Sequence, residues 1–206
     1  MAAADRHIYL ASRSSRRREL LKQIGISFEI LLLRERPGRP GDFDETPRPG
    51  EDPVEYVRRV AREKAEAGWV RLSQRRLLRL PVLAADTVVA LEGEMLGKPV
   101  DRDEAMSFLK RLSGKVHQVH TGVAVKFDQQ VEVAVSSTDV ALGELADTEI
   151  RQYVATGEPL DKAGAYAIQG RAAVFIRAIA GSYSGVVGLP LFETGRLLAR
   201  VGHTTL

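Results

Sequence analysis

The tightest constraint on this chain is a junction near its start. A short apolar run, Ile8-Tyr9-Leu10-Ala11, leads into Ser12-Arg13-Ser14-Ser15-Arg16-Arg17-Arg18 and then into an amphipathic pattern, Glu19-Leu20-Leu21-Lys22-Gln23-Ile24. The run predicts a strand over 7–11 and the pattern a helix over 15–24, ended by Gly25, for which the left-handed conformation costs little. The first N–H groups of a helix have no intrahelical partners, and the helix dipole is positive there. Arginines at that end are unfavourable unless a counter-ion is bound, and a guanidinium fork suits phosphate. A basic helix start on a solvated surface is the plainer reading; a phosphate-bearing ligand is the more specific one.

Further on, Phe28 to Leu33 reads as a strand. Arg34 to Asp52 is rich in proline, glycine and charge; a loop that long inside a compact domain is functional or disordered. Asp52-Pro53 opens the next helix, aspartate as cap and proline in the first turn, with Val54, Val57, Val60, Ala61 and Ala65 on one apolar stripe. Arg71 to Arg79 is a basic stretch without an assignable role. Pro81 to Leu91 reads as a strand turned at Glu92-Gly93-Glu94, Asp101 to Leu112 as a capped helix, and Val116 to Phe127 with Val131 to Leu142 as a hairpin. Asp147 is expected to cap a helix reaching Thr156; Ala165 to Ile168 and Ala173 to Ile179 read as strands, and Leu191 to Val201 as a closing helix. Early alternation of strands and helices, with a central hairpin, predicts an α/β protein built on a mixed sheet.

Composition narrows the function. At 206 residues and 44% hydrophobic, the chain suffices for one well-buried domain over 1–206, built as two lobes around a cleft. Thirty Lys and Arg against 27 Asp and Glu leave a charge of only +3, which argues against nucleic acid as a partner. The absence of cysteine excludes disulfides, thiolate metal sites and thiol nucleophiles. No apolar run reaches membrane-spanning length and no leader-like segment opens the chain, so a cytoplasmic protein without a membrane partner is expected.

Several motifs carry chemistry. Asp86 interrupts an apolar strand; it is a bulge or turn residue, or else a catalytic or metal-binding carboxylate at the edge of a cleft. Gly97-Lys98-Pro99 is no P-loop, because the spacing from Gly93 is short and proline follows the lysine. A lysine on that turn could still meet a phosphate. Gly157 to Tyr166 is a glycine-flanked loop in which Asp161-Lys162 is a surface pair or a ligand contact. Gln169 is an exposed turn residue or a reader of a base edge. Gly181-Ser182-Tyr183-Ser184-Gly185 lacks the serine a nucleophile elbow needs, and His117 and His120 fall on opposite sides of one strand.

Taken in order, Leu10 to Leu21, Asp44-Glu45, Arg62-Glu63-Lys64-Ala65, Ala85-Asp86-Thr87, Gly97-Lys98-Pro99, Glu158 to Tyr166, Ile168-Gln169-Gly170 and Val187-Gly188-Leu189-Pro190 resemble the Maf family of nucleoside triphosphate pyrophosphatases. The resemblance implies a long mixed sheet with flanking helices, folded as two lobes around a central cleft. It also implies hydrolysis of the α–β phosphoanhydride with a divalent cation, Mg²⁺ or Mn²⁺, and a homodimer as a family expectation. The family's proton acceptor falls on Asp86 and its phosphate-binding cations on Arg17, Lys64 and Lys98, joined by Ser12 and Lys162; the metal ligands are Glu45 and Asp86. Arg16, Thr87 and Gln169 match the specificity positions of the branch that acts on dTTP and UTP, rather than the branch acting on 7-methyl-GTP. Arg18 is left as a helix-surface residue. Ser15 stands where the family has proline, and can cap the same helix end. A non-catalytic nucleotide sensor or regulator of cell division stays open as an alternative.

Overall fold

A computed structural model describes residues 7–34 and 42–203. The expected junction forms: strand β1 (His7–Leu10) turns into helix α1 (Ser15–Gln23). Ser14, not Ser15, is the cap, its hydroxyl accepting from the Arg17 N–H at 3.4 Å; Ser15 is the first helical residue. Strand β2 (Ser27–Ile30) is shorter than predicted: the Leu31 N–H still donates to the Leu10 carbonyl at 3.0 Å, and the ladder ends there. Leu31 and Leu33 are nevertheless buried.

Helix α2 (Pro53–Gln74) starts as expected, the Asp52 carboxylate accepting from the Val54 and Glu55 N–H groups. Val57, Val60, Ala61 and Ala65 are fully buried; each valine contributes about 1.5–3 kcal/mol of apolar transfer. Strand β3 (Val82–Leu91), helix α3 (Arg102–Leu112) and the hairpin β5 (Val116–Phe127) with β6 (Gln130–Leu142) follow as predicted, and a short strand β4 (Glu94–Leu96), beginning on the last residue of the expected turn, is added. In α4 (Asp147–Ala155), Asp147 is the first helical residue rather than the cap. Glu149 instead folds back to accept from the Ala146 N–H at 2.8 Å.

The strand expected over 165–168 does not form. The segment makes 3-10 turns, Glu158–Asp161 and Ala163–Ala165, and then irregular chain. Gly164 (φ +66°) and Ala165 (φ +61°) are left-handed, which no strand accommodates. A further turn, Arg171–Phe175, replaces the start of the next predicted strand, so that β7 covers only Ile176–Ala180. Helices α5 (Tyr183–Val187) and α6 (Leu191–Arg200) complete the described chain.

The seven strands form one mixed sheet in the order β2-β1-β3-β5-β6-β7, with β4 also on β3. β1 runs parallel to β2 and β3; the other pairs are antiparallel. Alternation along β1 and β3 divides the core. Ile8, Leu10, Leu83 and Ala85 face one cluster with Leu20, Leu21, Leu197 and Leu198; Tyr9, Ala11, Val82 and Ala84 face another with Ala61, Ala65 and Leu72. A third cluster, around Leu96, Leu109, Leu142 and Tyr153, lies at the α3–α4 end. The expected fold class, a mixed α/β sheet with flanking helices, is the observed one.

Candidate active site

Strand β3 decides where a ligand can enter. One edge pairs with β5 from Val82 to Ala90. The other pairs with β1 only at Val82 and Leu83, and with β4 only from Val89 to Leu91. Between them the sheet is split, and Asp86 and Thr87 stand in the split. Asp86 opposes Gly122 in unbroken register, so the bulge reading falls. A cleft of about 460 Å³ opens there, within the range of small-ligand sites. Ser12, Arg16, Arg17, Glu45, Lys64, Asp86, Thr87, Lys98, Lys162 and Gln169, drawn from six separate stretches of sequence, all line it.

The acidic floor is organised by a lysine. The Lys64 ammonium, almost buried, donates to Asp86 Oδ1 at 2.7 Å and also pairs with Glu45. It lies 5.1 Å from the centre of the Phe43 ring. Glu45 is carried by a loop that α2 grips. Arg59 donates to the carbonyls of Asp44 (3.0 Å) and Thr46 (3.1 Å), and Tyr56 donates to the carbonyl of Glu45 (3.0 Å). The Arg59 fork is itself bidentate to Glu51, at 2.6 and 2.8 Å, which holds the Glu51 carboxyl down to about 2. Burial, then Asp86 and Glu45, raise the Tyr56 hydroxyl well above its usual value, so it remains a donor.

The basic rim is anchored differently. Arg17 donates from Nε to the Gly188 carbonyl (2.7 Å), from Nη1 to Ser12 (3.1 Å) and from Nη2 to Thr87 Oγ1 (3.3 Å). Thr121 donates to the Gly185 carbonyl at 2.8 Å, so its oxygen must accept from Thr87 at 2.9 Å. A one-way relay results: Arg17 to Thr87 to Thr121 to Gly185. Burial lowers the Arg17 guanidinium below its ordinary value, opposed by Asp86 and reinforced by Arg16. Lys162 pairs with Asp161, whose carboxyl is held low by Lys162 and Arg16 against its own burial. Lys98 stands on a turn tied to the opposite loop by the Gly164 N–H, which donates to the Gly97 carbonyl at 3.0 Å.

Sequence reasoning missed several residues. Arg18 is not an ordinary surface residue: it lines the cleft with its Nε buried and without a hydrogen-bond partner. Arg71, from the basic stretch, pairs with Asp42 at 3.0 Å and ties down one end of the long loop, whose residues 35–41 lie outside those described. Phe43, Tyr56 and Arg59 gave no local signal. No group of three or more His, Cys, Asp or Glu that could hold a metal occurs among the described residues. No helix among them is long and apolar enough to cross a membrane.

A split sheet with cations around paired carboxylates defines a protein equipped for phosphorylated ligands. The chain matches the family model described as Maf-like protein over residues 7–201, and it belongs to that family. It is 59% identical over 195 residues to a protein of Nitrosomonas europaea named dTTP/UTP pyrophosphatase, covering 95% of this chain and 94% of that one. Proteins of the same name from Dechloromonas aromatica (53%, covering 97% and 99%) and Aromatoleum aromaticum (54%, covering 98% and 99%) are similar along nearly their whole length.

Proposed function

We propose that this chain is a nucleoside triphosphate pyrophosphatase that cleaves dTTP and UTP to the monophosphate and diphosphate. The observation that carries the reading is the meeting of Lys64, Asp86 and Glu45 at the sheet split, under a rim of Arg17, Lys98 and Lys162. Asp86 accepts the proton of the attacking water; the basic side chains hold the oxygens on which charge accumulates. Phosphoryl transfer is largely positioning and charge stabilisation, which this set of groups supplies.

Glu45 and Asp86 fit a divalent cation. Both are hard oxygen donors, and both already reach a single cationic centre, the Lys64 ammonium. Two carboxylates are few for an all-protein site but typical of one completed by substrate phosphates. When bound, the metal supplies charge neutralisation on the phosphate oxygens. In the resting site the Lys64 ammonium balances the charge of these two carboxylates.

Base selection rests on Gln169, Arg16 and Thr87. A Gln amide offers both a donor and an acceptor to the O4/N3 edge of uracil or thymine. The test is a panel of nucleotides with Mg²⁺ or Mn²⁺ in which both products are measured. Monophosphate and diphosphate from dTTP and UTP are expected; binding without turnover makes the chain a nucleotide sensor instead. In the same panel Gln169→Glu is expected to shift preference from UTP towards 7-methyl-GTP, and an unchanged preference removes Gln169 from base reading.

A further inference from the structure

The turn-built wall of the cleft, residues 158–171, has a fastener that the proposed chemistry does not use. Glu158 Oε1 accepts from the Tyr153 hydroxyl at 3.0 Å, and Oε2 accepts from the Arg171 N–H at 3.1 Å. One carboxylate thus joins the start of the wall, its end and helix α4. Its oxygens lie over Gly170, where a Cβ would collide with them. Gly170 has φ −108°, which any residue can adopt, so it is the carboxylate and not the backbone that keeps the position small. Tyr153 is buried, its ring edge-on to Phe175 at 5.4 Å. The carboxylate therefore ties Tyr153 of α4 to Arg171, two residues beyond Gln169. Lys162 lies inside the same closed stretch. It is fixed in the middle by the Gly164 bond to Gly97 and by Tyr166, whose hydroxyl meets His117 Nε2 at 2.7 Å.

We infer that Glu158 is a positioning residue for base selection: with Tyr153 and Gly170 it closes the 158–171 wall and holds Gln169 where a pyrimidine fits and a purine does not. The inference rests on the proposed function. Displacing a contact by about 1 Å costs up to about 10²-fold in well-aligned sites, and a base-reading turn released at its Arg171 end is that case. Asp86 and Lys64, on β3 and α2, are not touched by the clasp.

The experiment compares wild type, Glu158→Ala, Gly170→Ala and the double variant. Binding of UTP and GTP analogues with a methylene bridge between the α- and β-phosphates is measured by calorimetry, and turnover of UTP and GTP beside it. Gly170→Ala evicts the carboxylate while leaving every clasp partner in the chain. Each single variant is expected to weaken the UTP analogue about tenfold and to cut the UTP-over-GTP preference about tenfold, with kcat within about threefold. The double variant should resemble either single one, because the second change finds the clasp already open. Equal losses for UTP and GTP, or losses that multiply in the double variant, overturn the inference. If Glu158→Ala does not fold, the preference of Gly170→Ala decides alone. A wild type that neither binds nor cleaves UTP defeats the proposed function instead.

Discussion

The two walls of the cleft solve the same problem with different materials. The floor and near wall, α2 and β3, are long regular elements whose charged groups are paired before any ligand arrives: Lys64 with Asp86 and Glu45, Arg59 with Glu51. The far wall, 158–171, is made of 3-10 turns with two successive left-handed residues, tied at a few points by Glu158, Gly164 and Tyr166. Helix and sheet hydrogen bonds hold the first wall; short turns, one backbone bond to Gly97 and a few side chains hold the second. On the proposed reading, the proton acceptor Asp86 and its partner Lys64 need a fixed distance and sit on the first. Gln169 sits on the second together with Lys162, where one altered contact can change the choice of base while Asp86 and Lys64 stay in place.

The sharpest way to break this comparison is at Asp86. Asp86→Asn keeps an oxygen for Lys64 but cannot accept a proton, so kcat for UTP is expected to fall about 10³-fold or more, with a melting temperature close to wild type. Turnover within about tenfold of wild type, measured by diphosphate release, would place the chemistry elsewhere. Arg17→Lys comes next. One ammonium cannot reach the Gly188, Ser12 and Thr87 oxygens as the fork does, and kcat/KM is expected to drop about 10²-fold. An Arg17→Lys enzyme with normal kcat/KM would show that the relay is structural only.

Acid tests the far wall. An unfolded histidine takes up its proton near 6.5, whereas burial holds His117, the partner of Tyr166, down to about 4. Between those values the unfolded chain binds more protons than the folded one. Stability is therefore complete above about pH 6.5 and falls as pH approaches 4, by up to about 3 kcal/mol from this group. His120 is shifted the same way by burial and adds to the slope. Urea midpoints across this range should show it, and His117→Gln should flatten it; an unaltered slope would exonerate His117. The smallest effect is expected at Arg59→Met, which frees the loop bearing Glu45. KM for the metal–nucleotide complex should rise about tenfold with little change in kcat, as for a lost positioning contact.

The same contrast explains what was legible in the sequence. Strand β1, the Asp52-Pro53 start of α2 and the β5–β6 hairpin announce themselves through local periodicity, caps and turn residues. The Asp86 reading followed from one carboxylate in an apolar strand. Within the far wall only 165–168 reads as a strand, because Ala165, an apolar residue in an apolar run, carries no mark of its positive φ. Its burial comes from contact with the α3–α4 core and not from pairing in the sheet. Arg59 reaches the carbonyls of Asp44 and Thr46 and Glu158 the N–H of Arg171, 13 to 15 residues away, and main-chain groups that every residue possesses leave no mark of these partners in the sequence. Arg18 differs from Arg16 and Arg17 only by its angle around α1.

Two glycines have a wider consequence. Gly122, opposite Asp86 on β5, lets the Val57 carbonyl of α2 rest directly against the sheet, and Gly68 on α2 faces Val82, which a Cβ would approach to 2.7 Å. Helix and sheet therefore meet backbone to backbone at one point and with a single side chain between them at the other. The separation of the α2 and β3 backbones that carry Lys64 and Asp86 is consequently set by main chain at Gly122 and by the Val82 side chain at Gly68. A methyl group at position 122 or 68 is therefore expected to part helix from sheet and loosen the site, a larger effect than reshaping an apolar side chain that touches neither glycine.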